Sequence, residues 1–155
     1  MLPILAAVVP AASPFARAFT GSWNCSQRIA AASGRPAHIM HSDWIIAPAA
    51  GSRNWTIVRW GPHGEQGGTA YVGYVPRLRA WLYDDFHGDG SYARSTSSGP
   101  HGGTWAWYGT YYTPDAQLSY GPILWTVKNN RLERKYEQTV AGHTHQLGAD
   151  SCAKE

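Results

Sequence analysis

The sequence predicts an all-β protein, in which about nine strands form an antiparallel meander that closes into an eight- to ten-stranded barrel. The chain has 155 residues, among them 8 Trp, 9 Tyr and 3 Phe, and aromatic residues favour strands. Its 17 Gly and 10 Pro divide it into short runs. Consecutive short strands favour a meander, and closure protects its edges. An open two-sheet sandwich is the alternative.

The N-terminal segment, residues 1–18, is predicted to be a signal peptide. It contains a short apolar run and ends in "ARA", which fits a cleavage site before Phe19. The run is too short to span a bilayer. We therefore expect a single β-barrel domain at 19–155, a secreted or periplasmic protein, and no membrane span. Since the segment lacks a basic start, an apolar N-terminal extension is the alternative.

The chain has two cysteines, Cys25 and Cys152, and in an exported protein they predict one disulfide. The bridge would tie the last segment onto the first strand. Closing so long a loop contributes about 4–5 kcal/mol in the chain-entropy model. Two free buried thiols in a cytosolic protein are the alternative.

Each strand is predicted from a run of aromatic and β-branched residues that turn-forming residues bound. The nine runs, in order, are 20–26, 38–47, 55–60, 69–75, 79–86, 91–97, 104–112, 123–127 and 131–139. "GDG" at 88–90 and "KNNR" at 128–131 predict tight hairpins, because Gly and Asn tolerate a positive φ. "GPHGEQGG" at 61–68 and "SSGPHGG" at 97–103 predict longer loops.

Alternation along the strands predicts which side chains face inward. The run 131–139 presents a charged face with Arg131 and Glu133, so Arg134 and Tyr136 should face the interior. In 91–97 the larger side chains, including Arg94, are expected inside. Trp105, Trp107, Gly109 and Tyr111 share one face of 104–112, whereas the facing of Arg59 is undecided.

An inward arginine is informative, because Arg is seldom buried without a partner. It either stacks on a Trp and bonds to the backbone at the closed end, or it binds an anionic group of a largely apolar ligand through its planar fork. The ligand-binding candidates are Arg134, Tyr136, Arg94, Trp105, Trp107 and Arg59.

Three features resemble the calycin superfamily of lipocalin-like barrels. They are Gly21 and Trp23 on the first strand, the inward Arg134 on a late strand, and a late Cys152. The resemblance implies that Trp23 packs under Arg134 to close one end, while Gly21 lets the strand bend. It favours a structural role for Arg134. The Arg134-x-Tyr136 spacing also resembles the pair with which fatty-acid-binding relatives hold a carboxylate.

These observations predict a protein that holds a small, mainly apolar molecule, with or without an anionic group, inside the barrel. No cofactor and no catalytic or metal-binding residues are assigned. The net charge of +3 is small and its 13 basic residues are scattered, which argues against nucleic acid as a partner. The sequence leaves the oligomeric state unknown.

Three alternatives stay open. The chain resembles nitrobindin-like barrels in size and strand pattern, which implies haem ligated by a late histidine, His143 or His145, although a loop is expected there. A barrel enzyme using buried Arg and Tyr is the second. The third is a glycan- or protein-binding surface built from Trp60, Trp81 and Tyr83. Enzyme activity is therefore uncertain, and Asp84 and Asp85 should face opposite ways.

Overall fold

The computed structural model describes residues 12–31, 36–52, 54–61, 67–140 and 143–155, with the backbone alone described at 138–140 and 143–147. In these ranges the chain forms one short α-helix, one 3-10 turn at Pro76–Leu78 and eleven strands. They are α1 (Pro14–Phe19), β1 (Gly21–Ile29), β2 (His38–Pro48), β3 (Trp55–Gly61), β4 (Gly68–Val75), β5 (Ala80–His87), β6 (Tyr92–Ser97), β7 (Pro100–His101), β8 (Thr104–Tyr112), β9 (Gln117–Lys128), β10 (Arg131–Val140) and β11 (His143–Lys154).

Ten antiparallel strands close into a barrel, which confirms the predicted fold class. Strands β1 to β6 pair in sequence, β6 pairs with β8, and β8 to β11 pair in sequence. The barrel closes where β11 lies beside β1. The two-residue β7 pairs only with β8 at its edge, within the segment predicted as a loop. No helix of the described residues has the length and hydropathy of a membrane span.

The two predicted hairpins are confirmed. Asn129 and Asn130 have φ values of 52° and 58°, and Gly90 has a φ of 84°, the left-handed values that tight hairpin turns require. The predicted loop at 61–68 lies largely outside the described residues, since 62–66 are not described.

Strand β11 was not predicted. Its sequence is rich in small and polar residues and contains Gly148, so its composition does not favour a strand. It forms because β1 and β10 each leave an edge that needs a partner. A side chain at Gly148 would place its Cβ 2.8 Å from the carbonyl oxygen of Arg28, so the close approach requires glycine.

The predicted disulfide is confirmed. Cys25 and Cys152 lie directly opposite each other in the β1–β11 pair, and their sulfurs are joined at 2.06 Å. Both residues are buried. The bridge therefore fastens the pair of strands that completes the barrel. A disulfide is typical of proteins in oxidising compartments.

Helix α1 closes the end of the barrel at which β1 begins. Phe15 and Phe19 are fully buried, and the ring of Phe15 lies 5.2 Å from that of Trp105 and 5.9 Å from that of Trp125. Trp23 Nε1 donates a hydrogen bond of 2.9 Å to the carbonyl oxygen of Phe19. The predicted cleavage point before Phe19 falls inside this packing, because a chain cut there would lack Phe15.

The predicted contact between Trp23 and Arg134 is wrong. The cation over the Trp23 ring is the ammonium of Lys154, at 5.4 Å, whereas the Arg134 guanidinium lies 4.2 Å from the Trp44 ring centre. The unpredicted strand β11 is the reason, since it stands between β10 and β1 and brings Lys154 opposite Trp23. Gly21 has a φ of 149°, which few other residues adopt.

Candidate functional site

A cavity of about 590 Å³ occupies the part of the barrel farthest from α1. Its lining includes residues from the starts of β2 and β9 and the ends of β5 and β10, and these strand ends meet at the end of an antiparallel barrel opposite α1. Met40 and Leu118 belong to the lining and are 40% and 54% exposed. The cavity therefore opens to solvent at this end.

Aromatic rings form much of the cavity wall. They come from six strands, each of which turns every second residue toward the interior. The Trp and Tyr rings are Trp44, Trp60, Tyr83, Trp107, Tyr111, Tyr120, Trp125 and Tyr136. Tyr83 lies 5.5 Å from both Trp107 and Trp125, centre to centre, and Trp44 lies 5.7 Å from Trp60. Such contacts favour particular ring orientations, and the rings make this part of the wall apolar.

Strand β5 brings an acid and a base into the cavity. Its inward positions are Trp81, Tyr83, Asp85 and His87; Trp81 is buried in the core, and the other three line the cavity. His87 Nε2 lies 3.2 Å from Asp85 Oδ2. Burial lowers the pKa of His87, but the hydrogen bond and the charge of Asp85 outweigh this, so the net pKa is raised. The arrangement therefore favours imidazolium beside carboxylate.

Arg134 and Tyr136 hold a carboxylate of the protein itself. Arg134 Nε donates to Asp150 Oδ2 at 2.7 Å, and the Tyr136 hydroxyl donates to the same oxygen at 2.7 Å. The guanidinium lies 4.2 Å and 4.8 Å from the ring centres of Trp44 and Trp125. Burial raises the pKa of Asp150, and the charge and hydrogen bond of Arg134 lower it by less, so the net pKa is raised. The pair expected to hold a ligand carboxylate is thus occupied by Asp150.

Several polar atoms at the cavity are buried and have no hydrogen-bond partner among the described residues. They include the Tyr83 hydroxyl, Trp107 Nε1 and Asp85 Oδ1. Burial, together with the charge of Asp85, raises the pKa of Tyr83 well above its ordinary value, so its hydroxyl stays protonated. Buried polar groups without partners cost free energy. The site thus offers two free donors and a carboxylate acceptor.

Three of the six predicted ligand-binding candidates line the cavity, and three do not. Arg134, Tyr136 and Trp107 line the cavity. Trp105 faces inward as predicted, but it packs against Phe15 in the closed end.

Arg94 and Arg59 lie on the outside of the barrel. The prediction that Arg94 faces inward is wrong: Ala93 and Ser95 are buried and line the cavity, while Arg94 pairs with Asp84 on the outer surface. Large rings from other strands occupy part of the interior beside the cavity, and β6 lines the cavity with small side chains.

The predicted aromatic surface is also wrong. Trp81 and Tyr83 are buried and Trp60 lines the cavity. A different row of rings crosses the outer face of β4, β5, β6 and β8, which we call the outer aromatic row: Tyr71, Phe86, Tyr92 and Tyr112.

The haem ligands considered, His143 and His145, are in strand β11 rather than in a loop. Their side chains lie outside the described residues. The described side chains hold no cluster of three or more His, Cys, Asp or Glu placed for a metal ion.

Sequence reasoning missed Asp85, His87 and Asp150 as site residues. Alternation puts Asp85 and His87 on the same face of β5 as Trp81 and Tyr83, and the structure shows that this face is the inward one, since Trp81 and Tyr83 are buried. The prediction that Asp84 and Asp85 face opposite ways is confirmed by their separate partners, Arg94 and His87. Nothing in the sequence placed Asp150 opposite Arg134, because β11 was not predicted.

Fold and site together define a closed antiparallel barrel of ten strands with an aromatic cavity open at one end. The chain is similar to the crystal structure of Rv2717c from M. tuberculosis, with a TM-score of 0.64 and 12% identity, covering 94% of this chain and 99% of that one. At this identity the likeness shows the fold alone. No protein-family model and no curated protein matches the chain.

Proposed function

We propose that this protein binds a small, mainly apolar molecule inside its barrel. The observation that carries the proposal is the cavity of about 590 Å³ walled by aromatic rings. Ligand sites typically have volumes of about 300–1,000 Å³ and combine an apolar lining with a few polar groups. Tyr83, Trp107 and Asp85 supply such groups, since each has a buried polar atom without a partner among the described residues.

The barrel is suited to this role because its two ends differ. Helix α1 and the Trp cluster around Phe15 close one end, while exposed residues such as Met40 and Leu118 border the other. We therefore expect a ligand to enter at the end that Met40 and Leu118 border. Export of the protein and a relationship to lipocalin-like barrels belong to the same proposal, supported by the Cys25–Cys152 disulfide and the barrel closure.

Titration with the uncharged dye N-phenyl-1-naphthylamine tests the proposal. We expect one dye molecule per chain, quenching of Trp emission and enhanced dye emission, because Trp60, Trp107 and Trp125 surround the cavity. Replacing Ala93 with Phe adds a ring to the cavity wall and should weaken binding by about tenfold or more, since overfilling excludes the dye.

The matched control is Ala106→Phe. Ala106 lies between the inward residues Trp105 and Trp107 on β8 and therefore faces outward. This variant should bind the dye as the parent protein does. Equal weakening by both variants, or dye binding that Ala93→Phe leaves unchanged in a folded protein, would contradict a site inside the barrel. A Soret band on adding haemin, lost when His143 or His145 is replaced, would support the haem alternative instead.

A further inference from the structure

We propose that the ligand carries a protonated amine and that Asp85 binds it, while the apolar part of the ligand packs against the Trp wall. This inference rests on the proposed function and specifies the chemistry of the ligand. It departs from the expectation of an anionic ligand, because the arginine expected to bind an anion is already paired inside the protein.

The interior cation, Arg134, is already paired through its Nε with a buried carboxylate of the protein. Both Arg134 Nε and the Tyr136 hydroxyl donate to Asp150 Oδ2 at 2.7 Å. The side chains of Arg134 and Asp150 are only 12% and 2% exposed. A ligand carboxylate that took over Arg134 would leave Asp150 buried beside it as a second negative charge. Such a buried charge without its partner is strongly unfavourable.

The remaining charges at the cavity favour a cation. Arg134 and Asp150 cancel, which leaves two carboxylates, Asp85 and Glu137, and two histidines, His41 and His87, among the described side chains that line the cavity. Two carboxylates with one protonated histidine give a net charge of −1 (1 − 2), and with none protonated −2 (0 − 2). An anionic ligand would be repelled and an ammonium attracted.

Asp85 has an oxygen free for this contact. His87 occupies Oδ2 at 3.2 Å, whereas Oδ1 has no hydrogen-bond partner among the described residues and is buried. An ammonium N–H donating to a carboxylate makes a strong, charge-assisted hydrogen bond. The same ammonium would lie among Trp and Tyr rings, whose faces attract cations. Asp85 and the aromatic wall thus act on the same group.

Isothermal titration calorimetry with three probes that share a naphthalene ring tests which charge the site prefers. The probes are 1-naphthylmethylamine, 1-naphthalenemethanol and 1-naphthaleneacetic acid. Their ends are cationic, neutral and anionic at neutral pH. We expect the amine to bind about tenfold tighter than the alcohol, the size of effect that one charge-assisted hydrogen bond gives. The acid should bind more weakly than the alcohol.

Asp85→Asn tests the assigned residue and keeps its shape. It should lower the affinity for the amine to that for the alcohol and leave the alcohol unchanged. Asp84→Asn is the matched control, because Asp84 is the neighbour on β5 that faces outward and pairs with Arg94. This variant should bind all three probes as the parent does. Melting curves show whether each variant is folded. If a variant does not fold, the order of the three affinities in the parent protein still tests the inference.

Two results overturn the inference. In the first, the acid binds as tightly as the amine or tighter, while the alcohol still binds inside the barrel. In the second, the parent protein prefers the amine, but folded Asp85→Asn keeps the whole preference. In both cases the proposed binding function survives. If none of the probes binds, or if Ala93→Phe leaves their binding unchanged, the proposed function fails together with this inference.

Discussion

Replacing Arg134 with Ala should lower the free energy of unfolding by about 3–5 kcal/mol, the usual cost of breaking a buried ion pair from one side. The Asp150 carboxylate, 2% exposed in the folded protein, would lose the guanidinium that donates to it at 2.7 Å and keep the hydrogen bond from the Tyr136 hydroxyl. The guanidinium also lies 4.2 Å and 4.8 Å from the ring centres of Trp44 and Trp125. The loss of these contacts should lower the free energy of unfolding further.

The assay is urea unfolding followed by circular dichroism, with Arg94→Ala as the matched control. Arg94 also donates its Nε to an aspartate at 2.7 Å, but its side chain is 57% exposed on the outer surface. Exposed pairs contribute about 0–1 kcal/mol. The Nε contacts of the two pairs are equal in length, and the outer pair has a second hydrogen bond, from Arg94 Nη2 to Asp84 Oδ2 at 2.9 Å. Because the inner pair is buried, its loss should nevertheless be the larger one.

The double variant Arg134→Met with Asp150→Asn completes the test. It removes both charges while keeping most of the volume, so it should be more stable than Arg134→Ala. Two results would refute this explanation: Arg134→Ala loses no more stability than Arg94→Ala, or the double variant is less stable than Arg134→Ala. Either result would mean that the cost does not come from an unpaired buried charge.

Two further substitutions test the closed end and the acid–base pair. Phe15→Ala should lower the free energy of unfolding by about 3–5 kcal/mol, since Phe15 is fully buried; a loss below about 1 kcal/mol in urea unfolding would show that α1 does not close the barrel. The pKa of His87 is raised by Asp85, so its stabilising contribution is complete below the unfolded pKa of about 6.5 and is lost as pH rises through the folded value. His87→Gln should therefore reduce the loss of stability between about pH 6 and pH 8, and an unchanged pH profile in urea unfolding would contradict this.

Much of the fold was predictable because strand periodicity and turn chemistry are local. The Asn129–Asn130 hairpin and the inward face of Trp105 and Trp107 follow from residue type and spacing alone. Strand β11 is different, because its residues form a strand only to satisfy the edges of β1 and β10. Because this requirement arises from the closed barrel, the composition of β11 itself does not indicate a strand.

The site was predictable only in part, for a related reason. Alternation identified Arg134 as inward. Its partner Asp150 lies on β11, which was not predicted, so the pairing of the two side chains could not be predicted either. Arg94 was misplaced because side-chain size was used to choose the inward face of β6. In a barrel crowded with rings the smaller residues, Ala93 and Ser95, face the interior, and that choice depends on the opposite wall.

The position of a bound probe tests the central claim most directly. A crystal structure of the protein soaked with N-phenyl-1-naphthylamine should show the dye among Trp60, Trp107 and Trp125 inside the barrel. Dye found instead on the outer aromatic row, with protein side chains filling the interior, would contradict the account.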